Sequence, residues 1–130
     1  MDLKEIIAVS GMPGLYKLIS QGKTVLVVEN LETGQRMPAH AANRASSLEE
    51  IAVFTQGEDK PLKDVFMDIH KSEEGNLVKL DPKKASADEL REFFAKVVPG
   101  YDRLRVYTSD IRKVITWYNI LVGSGKVDFS

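Results

Sequence analysis

The sequence predicts an α+β fold, a small β-barrel of the SH3-like or Sm-like type in the N-terminal half followed by a three-helix C-terminal lobe. Three observations carry that expectation. Residues 14–30 hold two apolar, β-branched-rich runs around a short polar turn at Gly22, the pattern of a β-hairpin. Beyond residue 60, three stretches place apolar residues at i, i+3, i+4 and i+7, the period of an amphipathic helix. Between them, residues 56–60 form a polar break, the one candidate boundary, which divides the chain into a barrel half at 1–57 and a helical lobe at 58–130.

Asp2 followed by Glu5 has the spacing of a capping box, and Leu3, Ile6 and Ile7 share one helical face. A short opening helix is therefore expected, with an extended Ile7, Ala8 and Val9 as the alternative. Pro13 between Gly11 and Gly14 marks a turn. In the second strand of the hairpin, Val25, Val27 and Leu31 take one side and Leu26 and Val28 the other, which predicts a central strand covered on both faces. Thr33 and Gly34 then turn the chain back into an antiparallel strand over 35–39. Pro38 cannot donate to a ladder, so that strand lies at an edge. Residues 40–47 read as a loop. Ser46 or Ser47 caps one helical turn through Glu49 or Glu50, and residues 51–55 alternate as the closing strand of the barrel.

In the second half, Pro61 suits a first helical turn, and Leu62, Val65, Phe66 and Ile69 form one stripe that ends before Gly75 and Asn76. Residues 77–80 are a short apolar connector stopped by Asp81 and Pro82. Ser86 and Glu89 form a capping box that opens a helix with Leu90, Phe93, Phe94 and Val97 on one side, closed by Pro99 and Gly100. The last helix begins at Thr108, Ser109 or Asp110 and carries Ile111, Val114, Ile115, Tyr118, Leu121 and Val122, with Gly123 as its expected stop. Residues 123–130 are expected to fray.

A chain of 130 residues buries roughly two-thirds of its unfolded surface and needs no staple to hold a core. With no cysteine, disulfides and thiolate chemistry are excluded, and the cytosol fits better than an oxidising compartment. The opening residues lack a basic and apolar leader, and no run approaches the roughly 18 apolar residues of a span, so a cytoplasmic protein without a membrane partner is expected. Eighteen basic residues against nineteen acidic give a formal charge of -1. Binding to nucleic acid would then need a local patch.

Signatures of catalysis are weak. His40 and His70 have no partner at metal-ligand spacing, and no metal or other cofactor is expected. Ser10 sits beside glycines without the Gly-x-Ser-x-Gly order of a nucleophile elbow. Gly22, Lys23 and Thr24 match only the tail of a phosphate loop and lead into a strand. The carboxylate pairs Glu49 and Glu50, Glu58 and Asp59, and Glu73 and Glu74 all lie in polar contexts that leave them solvated. The expectation is a protein that is not an enzyme.

One segment stands apart. Between residues 96 and 113, Lys96, Arg103, Arg105, Arg112 and Lys113 face only Asp102 and Asp110, a local charge of five minus two, or +3. Tyr101 and Tyr107 are interleaved and Trp117 follows. Arginines beside aromatic faces suit base stacking or a protein hot spot. A plainer reading weighs more on spacing alone: the tyrosines pack the helix connection, Trp117 sits on the shoulder of the core stripe, and the charges are solvated flanks.

The phrase Pro13-Gly-Leu-Tyr-Lys-Leu-Ile-Ser-Gln-Gly-Lys23, then Arg36-Met-Pro-Ala39, Ser47-Leu-Glu-Glu-Ile51 and Tyr107-Thr-Ser-Asp-Ile-Arg-Lys-Val-Ile-Thr-Trp-Tyr-Asn119 resemble a family of small bacterial proteins known only as domains of unknown function. The resemblance implies a barrel-like half joined to a helical half in the bacterial cytoplasm, and no activity. The expected function is a non-catalytic interaction module for a protein partner or its own copy. RNA or DNA binding through the patch around Arg103 to Lys113 is the alternative.

Overall fold

A computed structural model describes residues 1–40, 45–125 and 127–129. The chain runs β1 (Ile6–Val9), β2 (Tyr16–Gln21), β3 (Val25–Asn30), β4 (Arg36–His40) and β5 (Ala45–Ser47), then a 3-10 turn (Leu48–Glu50). Two short strands follow, β6 (Ala52–Val53) and β7 (Lys60–Pro61), before α1 (Leu62–Ser72), α2 (Ala87–Val97) and α3 (Thr108–Ser124). The first five strands form one antiparallel sheet in the order β4-β3-β2-β1-β5, and β6 pairs with β7 alone.

Mixed α+β architecture and three helices are as the sequence predicts. The sheet, however, is not closed: β4 and β5 are its two edges, where a barrel was the expectation. Pro38 does lie on the edge strand, opposite Val27. Asn30 makes the turn before it, since its side-chain oxygen accepts from the backbone N–H groups of Glu32 and Thr33 at 2.8 and 3.0 Å.

Three local expectations need correction. The opening is a strand, because the β-branched pair Ile6 and Ile7 gains pairing with β2 on one side while Ile7, Ala8 and Val9 pair with β5 on the other. Of the predicted loop over 40–47, residues 41–44 lie outside the described residues, His40 ends β4, and Ala45–Ser47 is the strand that lies beside β1. The segment 51–55 leaves the large sheet altogether. It pairs with β7, and Thr55 bridges to Tyr101 beyond α2.

Packing explains the arrangement. Leu3, Ile6, Leu15, Leu31 and Leu48 from the sheet half join Leu62, Phe66, Leu90, Phe94, Ile115, Tyr118 and others from the helices in one apolar core. Ile7, Val9, Tyr16, Leu26, Val28 and Ala39 form a second, smaller core of their own. β1 therefore lies between two cores, with Ile6 in one and Ile7 in the other. β3 is the strand for which the sequence predicted that role. Its Leu26 and Val28 are buried, and Val25 and Val27 are half-buried.

The helices are closed by identifiable groups. Ser86 Oγ accepts from the Glu89 N–H at 3.1 Å while the Glu89 carboxylate accepts from the Ser86 N–H at 3.0 Å, the capping box read in the sequence. Gly123 does not stop α3. Gly125 does, with φ at +66°, a left-handed conformation that suits glycine at a helix C-terminus. Of the tail expected to fray, residues 126 and 130 lie outside the described residues, and Phe129 is packed: its ring stacks on His70 at 4.5 Å and meets Tyr118 edge-on at 5.8 Å. The Tyr118 hydroxyl donates to the Asn76 carbonyl at 2.8 Å. Burial, with a smaller push from the Glu73 charge, raises its pKa to about 12, so it remains a donor at any ordinary pH.

Phe94 is fully buried and Trp117 only half-buried. Phe94→Ala is expected to destabilise by about 3 to 5 kcal/mol, and Trp117→Ala by less. Chemical denaturation of both variants checks this, and a cost for Trp117 equal to that for Phe94 would contradict the assignment.

Candidate functional site

The segment singled out by charge and aromatic content folds as a compact turn between α2 and α3. Asp102 is its anchor. One carboxylate oxygen accepts from the N–H groups of Leu104 and Arg105 at 2.9 and 3.2 Å, and the other accepts from the Arg105 guanidinium at 2.8 Å. The Arg105 hydrogen bond, followed by that from Leu104, holds the Asp102 carboxyl below its ordinary pKa. The turn consequently keeps its anionic anchor down to the acid side of the usual carboxylate range.

This anchoring decides which side chains face outward. The Arg105 guanidinium lies 4.3 Å from the centre of the Phe54 ring, a cation–π contact on a surface ring. Leu104 is 87% exposed and Tyr107 65% exposed. Phe54, the ring under Arg105, is itself 40% exposed. Sequence reasoning missed both Leu104 and Phe54. Leu104 lies between two arginines in a stretch without helical period, and the Phe54 position was assigned to the barrel.

The other predicted residues separate. Tyr101 is buried, edge-on to Phe94 at 5.0 Å, with the Arg103 guanidinium 5.7 Å from its centre. It packs the connection between α2 and α3, as the plainer reading had it. Arg112 is half-buried and donates to the carbonyls of Pro82 and Ala85 at 2.9 and 3.2 Å, clamping the connector before α2. Lys96 and Arg103 share a shallow depression with Asp88, Arg91 and Glu92, so two carboxylates dilute the positive charge there.

Arg105, Lys113 and Trp117 do come together. They line a depression of about 240 Å³ between β6 and α3, whose floor includes Val53, Leu62, Phe94 and Val114. A second depression of about 530 Å³ adjoins it, between the turn at Ser10 to Gly14 and α3. Ile51, Lys113 and Trp117 line both, so the two form one trough along the seam between the sheet and the helices. Of the charged side chains along it, Arg105, Arg112 and Lys113 are basic and Asp110 is acidic. Asp110 is engaged in accepting from the Tyr107 N–H at 2.9 Å. Among the described residues no group of three or more histidines and carboxylates is placed to hold a metal, and no helix is long and apolar enough to cross a membrane.

Residues 3–48 match the family model described as domain of unknown function DUF5606, and residues 51–121 match domain of unknown function DUF6852. The chain is also similar to a protein from Bacteroides vulgatus, a structural-genomics target whose structure was solved by solution NMR, at 49% identity and a TM-score of 0.85. That match covers 98% of this chain and 91% of the other. No curated protein matches.

The Tyr101 hydroxyl is buried and has no hydrogen-bond partner among the described residues. A buried hydroxyl without a partner is a cost, so Tyr101→Phe is expected to leave stability within about 1 kcal/mol of the parent or raise it. Thermal and denaturant unfolding check this. A loss of the size expected for Phe94→Ala would show that the hydroxyl holds a bond.

Proposed function

The chain belongs to the bacterial family defined by the domains of unknown function DUF5606 and DUF6852, and we propose that it is a non-catalytic protein-interaction module of the cytoplasm. One observation carries the reading. Leu104 stands almost wholly and Tyr107 about two-thirds in solvent on a turn braced by Asp102, beside the stacked pair of Arg105 and Phe54. An exposed apolar patch costs solubility and marks a contact surface. Tyrosine and arginine on a preorganised turn are the residue types that dominate protein hot spots, because little entropy is lost on docking.

In this reading the five-stranded sheet, open between β4 and β5, is an unclosed relative of the SH3-like or Sm-like barrel with a small core of its own, and the helical lobe presents the turn. Nucleic-acid binding through the basic segment is the weaker alternative. Phosphate contacts need free cations in a row. Arg105 is paired with Asp102, Arg112 serves two carbonyls, and Lys96 with Arg103 shares its surface with Asp88 and Glu92.

The test is capture of partners from the native cell by the immobilised full chain, with nuclease-treated and untreated arms, beside a Leu104→Asp, Tyr107→Ala double variant. A protein that survives nuclease and falls by roughly tenfold or more with the variant is the expected result. Partners lost on nuclease treatment would transfer the account to nucleic acid, and partners indifferent to the variant would remove this patch.

A further inference from the structure

The short strand β6 has one edge paired with β7 and, among the described residues, no strand paired to its other edge. Ala52 faces Pro61 across the β6–β7 pair, and proline has no N–H to give. The bond on that side is instead the Leu62 N–H to the Ile51 carbonyl at 2.9 Å, which makes Ala52 and Pro61 a non-hydrogen-bonded pair. The N–H and C=O of Ala52 therefore point away from β7. On the far side the backbone after α2 supplies partners only for the residues that follow the strand: Gln56 donates to the Gly100 carbonyl at 2.9 Å, and Asp102 donates to the Phe54 carbonyl at 3.0 Å. At Asp102 that backbone turns off, closing on itself through the N–H groups of Arg105 and Val106. Ala52 is left exposed at an open edge, and the 240 Å³ depression lies beside it.

From this we propose that the trough takes an extended, carboxylate-bearing segment of a protein partner, which adds as a strand to the open edge of β6 at Ala52. The inference rests on the protein-interaction reading and names the partner's chemistry. Strand addition supplies affinity through main-chain bonds, while alternate side chains enter pockets and give specificity. Here an apolar side chain enters the depression floored by Leu62, Phe94 and Val114. Charge complementarity sets the second requirement. Lys113 borders both depressions and has no anionic partner among the described residues, whereas the acidic group of the trough, Asp110, is engaged in capping. A carboxylate on the incoming strand pairs with Lys113.

The test uses the full chain and a displayed library of random peptides, followed by titration of selected synthetic peptides into isotope-labelled protein. Selected peptides are expected to be rich in β-branched and acidic residues, to shift the Ala52 amide resonance and to protect it from hydrogen exchange. Ala52→Pro deletes the one donor involved without touching a β6–β7 bond, and Ile51 already has the φ of -90° and ψ of 137° that a residue before proline prefers. It is expected to weaken peptide binding by roughly tenfold, and Lys113→Glu to do the same for acidic peptides. Should Ala52→Pro fail to fold, Ala52 amide protection in the parent chain and Lys113→Glu decide the matter. Peptides that bind without protecting Ala52 overturn strand addition, as does a library that yields no binder. If partner capture still depends on Leu104 and Tyr107 in either case, the interaction module stands and only its occupant changes. If capture is indifferent to those residues while peptides protect Ala52, the exposed patch is discarded and the strand site stands.

Discussion

Everything in this fold depends on one apolar core that neither half completes alone. The stripes of α1, α2 and α3 meet Leu3, Ile6, Leu15, Leu31 and Leu48, all buried, from the sheet half. The 3-10 turn is the hinge of that arrangement. Ser47 Oγ donates to the Lys4 carbonyl at 3.0 Å, Glu49 accepts from the Leu3 N–H at 3.3 Å and lies 3.9 Å from Lys63 of α1, and Leu48 is wholly enclosed. Polar groups thus fix the crossing point, and burial supplies the driving force.

That constraint creates the surface features. Because residues 51–55 are drawn into the helical side, β6 is separated from the large sheet and keeps an edge that no strand among the described residues fills. The seam between the halves becomes a trough with Trp117 in the middle. Asp102 then fixes the turn that holds Leu104 and Tyr107 in solvent at one end of it. A rigid turn and an unfilled edge are both features a partner can use without reorganising the protein.

Helices were legible in the sequence because their signals are local. Ser86 and Glu89 make their capping box within one turn, and the stripe of Leu90, Phe94 and Val97 repeats within a single element. Strands with non-local partners were harder. Ile6 to Val9 has apolar residues on both faces, a pattern shared by a buried strand and a short helix, and pairing with β2 and β5 decides between them. Residues 51–55 alternate as any strand does, and alternation does not name the partner. Lys113 and Trp117 were found by composition. Arg112 and Tyr101 were found too, but composition cannot tell a clamp for the Pro82 and Ala85 carbonyls or a ring packed on Phe94 from a binding group. The open edge at Ala52 has no sequence signal, since it arises from a proline opposite and a turn fifty residues later in the chain.

The claim that one core unites the two halves is tested most directly by equilibrium unfolding followed on both at once. The single tryptophan, Trp117, reports the helical side, and the Val28 amide, in the separate small core, reports the sheet. A shared core predicts coincident denaturant midpoints, and an equal shift of both on Leu48→Ala, although Leu48 belongs to neither reporter's own element. Two resolved transitions, or a Leu48→Ala shift confined to Trp117 while Val28 keeps its midpoint, would contradict it.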